Sequence, residues 1–232
     1  MIDSWNIPKQ WTWVTLNDIA QWGSGGTPKS SQLEYYGGDI PWLIIADLND
    51  GVVRNSAKTI TDLGLKNSSA KLVNKNAVLI AMYGSIGKLG IAGRECTTNQ
   101  AIAFTKSIRE EIDHKFLFYY LLRIRPQLLD LGKGGAQANI SQTVLKKVEF
   151  PLPLLNEQKR IVAKLEKLLA KVNESCDRLS RIPTILKRFR QSVLAAACSG
   201  RLTADWRDQH PDVETAEELL TKFRASKEYI RD

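Results

Sequence analysis

Histidines, cysteines and closely spaced acidic residues are the side chains that could support catalysis in this sequence. His114 and His210 have no second histidine or cysteine at the spacing of zinc ligands, so each is best explained as an ordinary surface or core histidine. Glu157 and Lys159 have the E-x-K spacing of a nuclease, but no acidic residue precedes them on a strand, and a helix start explains them more simply. These residues predict a non-catalytic chain.

The glycines of the segment YGSIGKLGIAG recur at every third position from Gly84 to Gly93 and could contact a nucleotide. A dinucleotide-binding sequence would open a helix after its glycines, whereas the apolar residues between these glycines are typical of a strand and a turn. The Gly-Lys pairs at Gly87 and Gly132 lack the earlier glycine that a phosphate-binding loop requires. The segment therefore predicts a tight β turn in which the backbone closely approaches another group.

The elements around this turn predict a mixed domain of strands and helices over residues 1–150. Short apolar runs at residues 42–46, 77–83, 101–104 and 144–150 are bounded by turn residues and predict strands. Within this half, only Phe116 to Ile124 has a clear helical pattern. The expected fold class is α+β.

A sustained heptad repeat follows Pro153 and predicts a long helical arm at residues 151–200. Its first row is Ile161, Leu168, Ser175, Ile182, Phe189 and Ala196, and its second row is Leu165, Val172, Leu179, Leu186 and Val193. Because Pro183 lies inside the pattern, we expect a kink or a change of helix there. The stripe either meets a partner helix in a coiled coil, which we favour, or forms a helical hairpin on its own domain. Residues 201–232 are expected to be a polar linker or tail.

The charge of the chain favours an anionic partner. Its 232 residues include 33 Lys and Arg against 25 Asp and Glu, which gives a formal charge of +8 and a pI near 9.4. Ten basic and three acidic residues occur from Lys159 to Arg190, an excess that an acidic partner or nearby DNA would relieve. Three widely separated cysteines predict reduced thiols and a cytoplasmic protein, and no apolar run is long enough to predict a membrane span.

Several segments, taken in order along the chain, resemble one protein family. They are IPKQWTWVTLNDIAQWGSGGTPKS, YYGGDIPWLIIADLNDG, NAVLIAMYGSIGKLGIAG with TTNQAIAF, GGAQANISQTVLKKVEFPLPLLNEQKRIVAKLEKL, and SGRLTADWR. The ordered set is similar to the specificity subunit of type I restriction-modification enzymes. The resemblance covers nearly the whole chain.

The resemblance implies a subunit that reads DNA and does no chemistry itself. Residues 1–150 would be a target-recognition domain for one half of a split DNA sequence, and the arm would be a spacer that docks methyltransferase subunits. S-adenosylmethionine, ATP and magnesium would be held by partner subunits, among them a motor and endonuclease subunit, so no cofactor is expected on this chain. Family members usually carry two recognition domains and two arms. This chain therefore resembles either the N-terminal half of a longer subunit or a half-subunit that pairs with itself.

Candidate contact residues follow from side-chain chemistry. Donors suited to phosphates and base edges accompany flexible glycine segments at Lys29, Tyr83, Lys88, Lys133, Gln137 and Asn139. Each lysine could instead be an ordinary solvated charge, and the two amides could cap turns inside the fold. We predict that a homodimer or subunit interface uses Ile161, Leu165, Leu168, Val172, Leu179, Leu186, Phe189 and Val193. The alternative functions are a stand-alone coiled-coil DNA-binding dimer without a modification partner, and a nuclease with an unrecognised site.

Overall fold

A computed structural model describes residues 6–132 and 139–228 of the chain. The chain divides into two compact units, Met1–Leu168 and Leu169–Asp232. The first unit is a mixed α/β domain, and a long helix follows the last strand, as the α+β prediction requires. The division between the units falls inside that helix, and the strand Glu149–Leu152 spans residue 150. The predicted division into residues 1–150, 151–200 and 201–232 stays a prediction.

Within the described residues, the strands in chain order are β1 (Thr12–Thr15), β2 (Ala20–Ser24), β3 (Tyr36–Leu43), β4 (Gly51–Val53), β5 (Thr59–Ile60), β6 (Leu72–Val73), β7 (Val78–Ala81), β8 (Leu89–Ala92), β9 (Cys96–Thr98), β10 (Ile102–Ile108) and β11 (Glu149–Leu152). The α-helices of the same residues are α1 (Leu16–Ile19), α2 (Asp62–Lys66), α3 (His114–Arg123), α4 (Arg125–Leu131), α5 (Gln142–Lys146), α6 (Leu155–Cys198), α7 (Ala204–Gln209) and α8 (Ala216–Glu228).

Two sheets and a two-stranded ribbon organise the first unit. The larger sheet has the strand order β2-β10-β7-β8-β4, the smaller has the order β5-β3-β9-β6, and β1 pairs with β11. All four residues of β7 are buried, which is why this strand reads as a continuous apolar run. It pairs antiparallel with β8 and β10, so the glycine turn between β7 and β8 connects neighbouring strands of this sheet.

Aromatic packing joins α3 to the β1-β11 ribbon. Asp113 caps the helix by accepting hydrogen bonds from the backbone N–H groups of Lys115 and Phe116 at 2.9 and 3.0 Å. The fully buried Phe150 of β11 makes edge-to-face contacts with Phe116 and Tyr120, with ring centroids 5.6 and 5.1 Å apart. The strand that leads into α6 is therefore anchored in the core of the first unit.

Two of the four expected strands are partly helical in the structure. The run at residues 144–150 was expected to be one strand, but its first part is the end of α5, because the Ser141 side chain caps that helix by accepting from the Val144 N–H at 3.2 Å. The run at residues 42–46 leaves the strand conformation at Leu43, because the Asp47 carboxylate accepts from the Ile44 N–H at 2.8 Å and starts a 3-10 turn.

The helix α6 is continuous over 44 residues and includes Pro183. The expected alternative of a change of helix at Pro183 is therefore wrong, and the heptad rows lie on one helix rather than on a hairpin within these residues. Many apolar side chains of the rows are exposed, for example Leu179 at 62% and Phe189 at 66%. None of the helices in the described residues combines the length and apolar composition needed to cross a membrane.

The segment SGRLTADWR directly follows α6 and caps its C-terminal end. Gly200 adopts a left-handed conformation with φ of 73°, and the Arg207 guanidinium donates to its carbonyl oxygen at 2.6 Å. Arg207 also donates to the Thr203 hydroxyl at 2.8 Å, and the Trp206 and His210 rings stack at 4.6 Å. Contacts within the segment and with His210 thus follow the end of α6, and the region expected to be a polar tail contains α7 and α8.

Candidate nucleic-acid interface

The segment from Tyr83 to Lys88 forms the tight turn that the glycine pattern predicts. Gly84 and Gly87 have φ angles of 74° and 76°, a left-handed conformation that other residues rarely adopt. The Gly87 N–H donates to the Ala81 carbonyl at 3.0 Å, and the Lys88 N–H donates to the Ser85 carbonyl at 3.0 Å. These bonds hold the turn in one conformation.

Arg125, at the start of α4, supports the turn from the side. Its Nε donates to the Gly87 carbonyl at 2.7 Å, and its guanidinium forms a bidentate ion pair with Asp50, with Nη1 and Oδ2 3.1 Å apart. Asp50 has φ of 58° and also accepts a hydrogen bond from the Leu89 N–H at 3.0 Å. Arg125 and Asp50 therefore connect both ends of the turn to α4 and to the loop before β4.

The Asp50 carboxyl has an altered acidity. Its partial burial disfavours ionisation, but the Arg125 guanidinium and the Leu89 N–H together outweigh that effect and hold the pKa of Asp50 below its ordinary value of 3.8. The carboxylate is therefore ionised at neutral pH and is committed to Arg125.

An open cleft of about 720 Å³ lies beside the turn. Its lining residues are Asp50, Tyr83, Gly84, Ser85, Ile86, Lys88, Arg125 and Leu129. The Lys88 ammonium donates to the carbonyls of Ile45 and Ala46 at 3.1 and 3.3 Å. Because an ammonium group has three N–H donors, at most one is left for a phosphate, and phosphate binding by Lys88 stays a prediction.

The structure brings together three of the six predicted contact residues. Tyr83 and Lys88 line the cleft, and Asn139 forms an isolated antiparallel bridge with Tyr83. Tyr83 is 37% exposed and lines the cleft, so a ligand bound there could reach this residue. Lys133 and Gln137 lie outside the described residues. Their roles, like those of the other four, stay predictions.

Lys29 is not among the residues that line this cleft and is exposed on a separate loop. That loop is held by the Trp42 indole N–H, which donates to the Gly26 carbonyl at 3.0 Å, and by the Tyr36 hydroxyl, which donates to the Pro28 carbonyl at 2.7 Å. A Cβ atom on Gly25 would lie 2.0 Å from the Thr98 carbonyl oxygen. The glycines of GGTPK thus permit close backbone packing that presents Lys29 to solvent.

Arg125 and Asp50 were not recognised from the sequence. They are 75 residues apart, and neither has a neighbouring pattern that marks it as half of an ion pair. The available signals were the Asp50-Gly51 turn dipeptide and the arginine directly before Pro126, and both are common in ordinary turns and helix starts. Over residues 6–132 and 139–228, no group of three or more His, Cys, Asp or Glu lies together in a way that could hold a metal ion.

The predicted interface residues differ in how the first unit covers them. Ile161 packs against the core, and Leu165 is half-buried. The other six are exposed to between 39% and 66%, namely Leu168, Val172, Leu179, Leu186, Phe189 and Val193. The described chain thus leaves the greater part of the predicted interface accessible to a partner.

A family model described as the type I restriction modification DNA specificity domain matches residues 8–180. The MjaIX specificity subunit of Methanocaldococcus jannaschii is 31% identical over 169 residues, which are 70% of this chain and 39% of that relative. The EcoBI specificity subunit of Escherichia coli is 30% identical over 238 residues, covering 95% of this chain and 49% of that relative.

Among solved structures, the HsdS subunit of Thermoanaerobacter tengcongensis matches with a TM-score of 0.66 at 27% identity, covering 84% of this chain and 46% of that one. A chain from a type I R-M system, solved to explain complex assembly and conformational transition, matches with a TM-score of 0.67 at 27% identity. That match covers 84% of this chain and 47% of the other. The chain spans about half the length, or less, of the relatives it matches.

Proposed function

The chain belongs to the type I restriction-modification DNA specificity family, and from this premise we propose that it is a non-catalytic subunit that reads one half of a bipartite DNA sequence. The observation that carries the proposal is the match of the DNA specificity model to residues 8–180, which include the glycine turn, its Arg125 support and the first part of α6. Methylation and cleavage would then be performed by partner subunits that hold S-adenosylmethionine, ATP and magnesium.

DNA would be bound by the glycine turn and by the separate Lys29 loop. The net charge of +8 favours a polyanion, and both segments present exposed donors on a backbone fixed by hydrogen bonds. Tyr83 at the cleft, its bridge partner Asn139, and Gln137 would supply hydrogen bonds to base edges. Lys29 would contact the phosphate backbone and would add affinity for every sequence.

Salt dependence tests the electrostatic part of this proposal. Phosphate contacts release counterions, so affinity for duplex DNA should fall steeply as salt rises, and Lys29→Ala should lower the slope of log K against log salt by about 1. Fluorescence anisotropy with a labelled duplex measures both. Lys222→Ala is the matched control, because Lys222 is ion-paired with Glu214 at 2.6 Å on another part of the chain. An unchanged slope in Lys29→Ala would remove this residue from the interface.

We further propose that the occupant of the apolar stripe is a second copy of this chain, paired antiparallel. The two rows are self-complementary about Asp177: Ile161 would face Val193 of the second copy, and Leu165, Leu168 and Val172 would face Phe189, Leu186 and Ile182. These four pairs are apolar, whereas Ser175 would face Leu179, and burial of one apolar side chain contributes about 1.5 to 3 kcal/mol.

The charges near the centre of this pairing are partly compensated. Arg178 forms an ion pair with Glu174 at 2.5 Å within the same helix, which reduces repulsion between the basic residues of two copies. Because α6 begins in the first unit, antiparallel pairing would place the two recognition units at opposite ends of the paired helices. Such a dimer would have one reader for each half-site, as a two-domain subunit has.

A methyltransferase subunit is the protein partner that we propose for this dimer. The purified chain, used as bait with the methyltransferase subunit of a type I system, should retain it, and the Leu165→Glu/Leu179→Glu variant reports whether retention needs the paired helices. If the unmodified chain binds DNA but retains no methyltransferase subunit, the alternative of a stand-alone DNA-binding dimer is favoured.

A further inference from the structure

One buried polar side chain lies at the start of α6. Gln158 is 0% exposed, and its amide makes three hydrogen bonds. Its Nε2 donates to the carbonyls of Glu111 and Pro153, each at 2.9 Å, and its Oε1 accepts from the Asp113 N–H at 2.9 Å. The amide therefore has both of its N–H donors and its oxygen satisfied in one arrangement.

The partners of Gln158 come from separate parts of the first unit. Glu111 and Asp113 lie at the N-terminal end of α3, and Asp113 is the residue that caps that helix. Pro153 directly follows β11. The single amide thus ties the first turn of α6 to α3 and to the end of the strand that precedes α6.

Neighbouring residues of α6 on both sides of Gln158 also contact other elements of the first unit. The Trp11 indole N–H donates to Glu157 at 3.1 Å, and the Lys115 ammonium pairs with Glu166 at 2.8 Å. Val162 is 6% exposed and belongs to the main hydrophobic core. Only Gln158 among these polar residues of α6 is fully buried, so water cannot replace its hydrogen bonds when the helix changes direction.

The direction of a long helix at its first turn has a large effect at its other end. At ~1.5 Å per residue, the 44 residues of α6 extend over about 66 Å. A tilt of about 10° at the first turn would displace the end of such a helix by about 11 Å, which is roughly three base pairs at ~3.4 Å each.

We propose that Gln158 is a positioning residue that fixes the direction in which α6 leaves the recognition unit, and thereby the spacing between the two half-sites. The spacing consequence rests on the proposed function, whereas the direction of α6 does not. Gln158 itself need not contact DNA, because its three partners are all within the protein.

Distances between two spin labels in the full chain test whether Gln158 fixes the direction of α6. Nitroxides would be placed on Lys66→Cys in α2 and Lys164→Cys in α6, both exposed, with Cys176 and Cys198 replaced by serine. We expect a narrow distance distribution, and Gln158→Met, which keeps the size of the side chain but none of its three hydrogen bonds, should broaden it at least twofold. Gln191→Met is the matched control, because Gln191 is an exposed glutamine of the same helix.

Circular dichroism checks that Gln158→Met remains folded. If it does not fold, Trp11→Phe, which removes the bond to Glu157 and changes the edge contact with Phe116 but keeps an aromatic ring, should give a smaller broadening and tests how α6 is held at the same turn. An unchanged distribution in a folded Gln158→Met chain would overturn the proposal.

Selection from random duplex DNA tests whether Gln158 fixes the spacing between the two half-sites. The unmodified chain should enrich half-sites at one fixed separation, and Gln158→Met should enrich the same half-sites over several separations. Enrichment by Gln158→Met at the original single separation would overturn the link to spacing. If the unmodified chain enriches no half-site, the proposed function and its spacing consequence both fail, while the spin-label result still decides the direction of α6.

Discussion

Asp50 has only a common turn dipeptide as its sequence signal, yet it helps to fix the conformation of a candidate contact surface. Its carboxylate holds Arg125, which in turn holds the Gly87 carbonyl of the glycine turn. The left-handed φ of 58° at Asp50 is a conformation that asparagine also tolerates. Asp50→Asn therefore removes the charge while keeping the backbone geometry.

We expect Asp50→Asn to lower the free energy of unfolding by about 1 kcal/mol at neutral pH, since the ion pair is partly exposed. Because folding lowers the pKa of Asp50, its stabilisation is fully present above pH 3.8, its ordinary value, and is lost as pH falls through the lower folded value. The deficit of the variant should thus shrink in acid. Urea titrations from pH 7 to 2.5 measure it, with Asp39→Asn at an exposed position as the control. A deficit independent of pH would contradict the assignment.

Gly25 and Gly37 are glycines for two different reasons, one close packing and the other a left-handed backbone conformation. At Gly25 a Cβ atom would overlap the Thr98 backbone, so Gly25→Ala should destabilise the first unit by about 3 kcal/mol or more. Gly37 has φ of 81° with no atom within 4 Å of a Cβ position, so Gly37→Ala should cost only about 1 to 2 kcal/mol of strain. Thermal unfolding of both variants measures the difference. Equal effects would show that the close approach at Gly25 relaxes freely.

At the scale of elements, the predictability of each segment depended on how local its cause is. The apolar run of β7 and the heptad of α6 are local patterns, and both elements were predicted close to their observed positions. The helix α5 was missed because a single Ser141 cap decides it within a run of β-prone residues. The Asp50–Arg125 ion pair joins residues that are 75 positions apart, and the Gln158 hydrogen bond to Asp113 joins residues that are 45 positions apart. One sequence does not reveal such long-range contacts.

The antiparallel pairing of α6 makes a prediction about its two exposed cysteines. With Asp177 at the centre, the two copies of Cys176 would be neighbours, whereas the two copies of Cys198 would lie at opposite ends. Burial raises the pKa of the Cys96 thiol to about 12, so Cys96 should not react. A short bis-maleimide should therefore cross-link Cys198→Ser through Cys176 but should leave Cys176→Ser as single chains on a denaturing gel.

Controls separate this arrangement from other pairings. The variant Leu165→Glu/Leu179→Glu should lose the cross-link and should sediment as a monomer with the first unit still folded. A parallel dimer would cross-link through either cysteine. If the unmodified chain sediments as a monomer at tens of micromolar, the proposed self-pairing is wrong.

At the scale of the whole molecule, the chain matches relatives that are about twice its length or longer. The family match covers most of the first unit and the part of α6 up to residue 180, so a single copy would offer one set of the proposed DNA contacts. A two-fold dimer would present the same contacts twice in opposite orientations, and its target would then be an inverted repeat.

The central claim is that this chain reads DNA sequence. Repeated selection of random duplex DNA by the purified full chain, followed by sequencing, tests it most directly. We expect enrichment of two identical half-sites in inverted orientation, separated by a non-specific spacer of constant length. Recovery of DNA with no sequence enriched above the starting pool, at a salt concentration where binding persists, would contradict it.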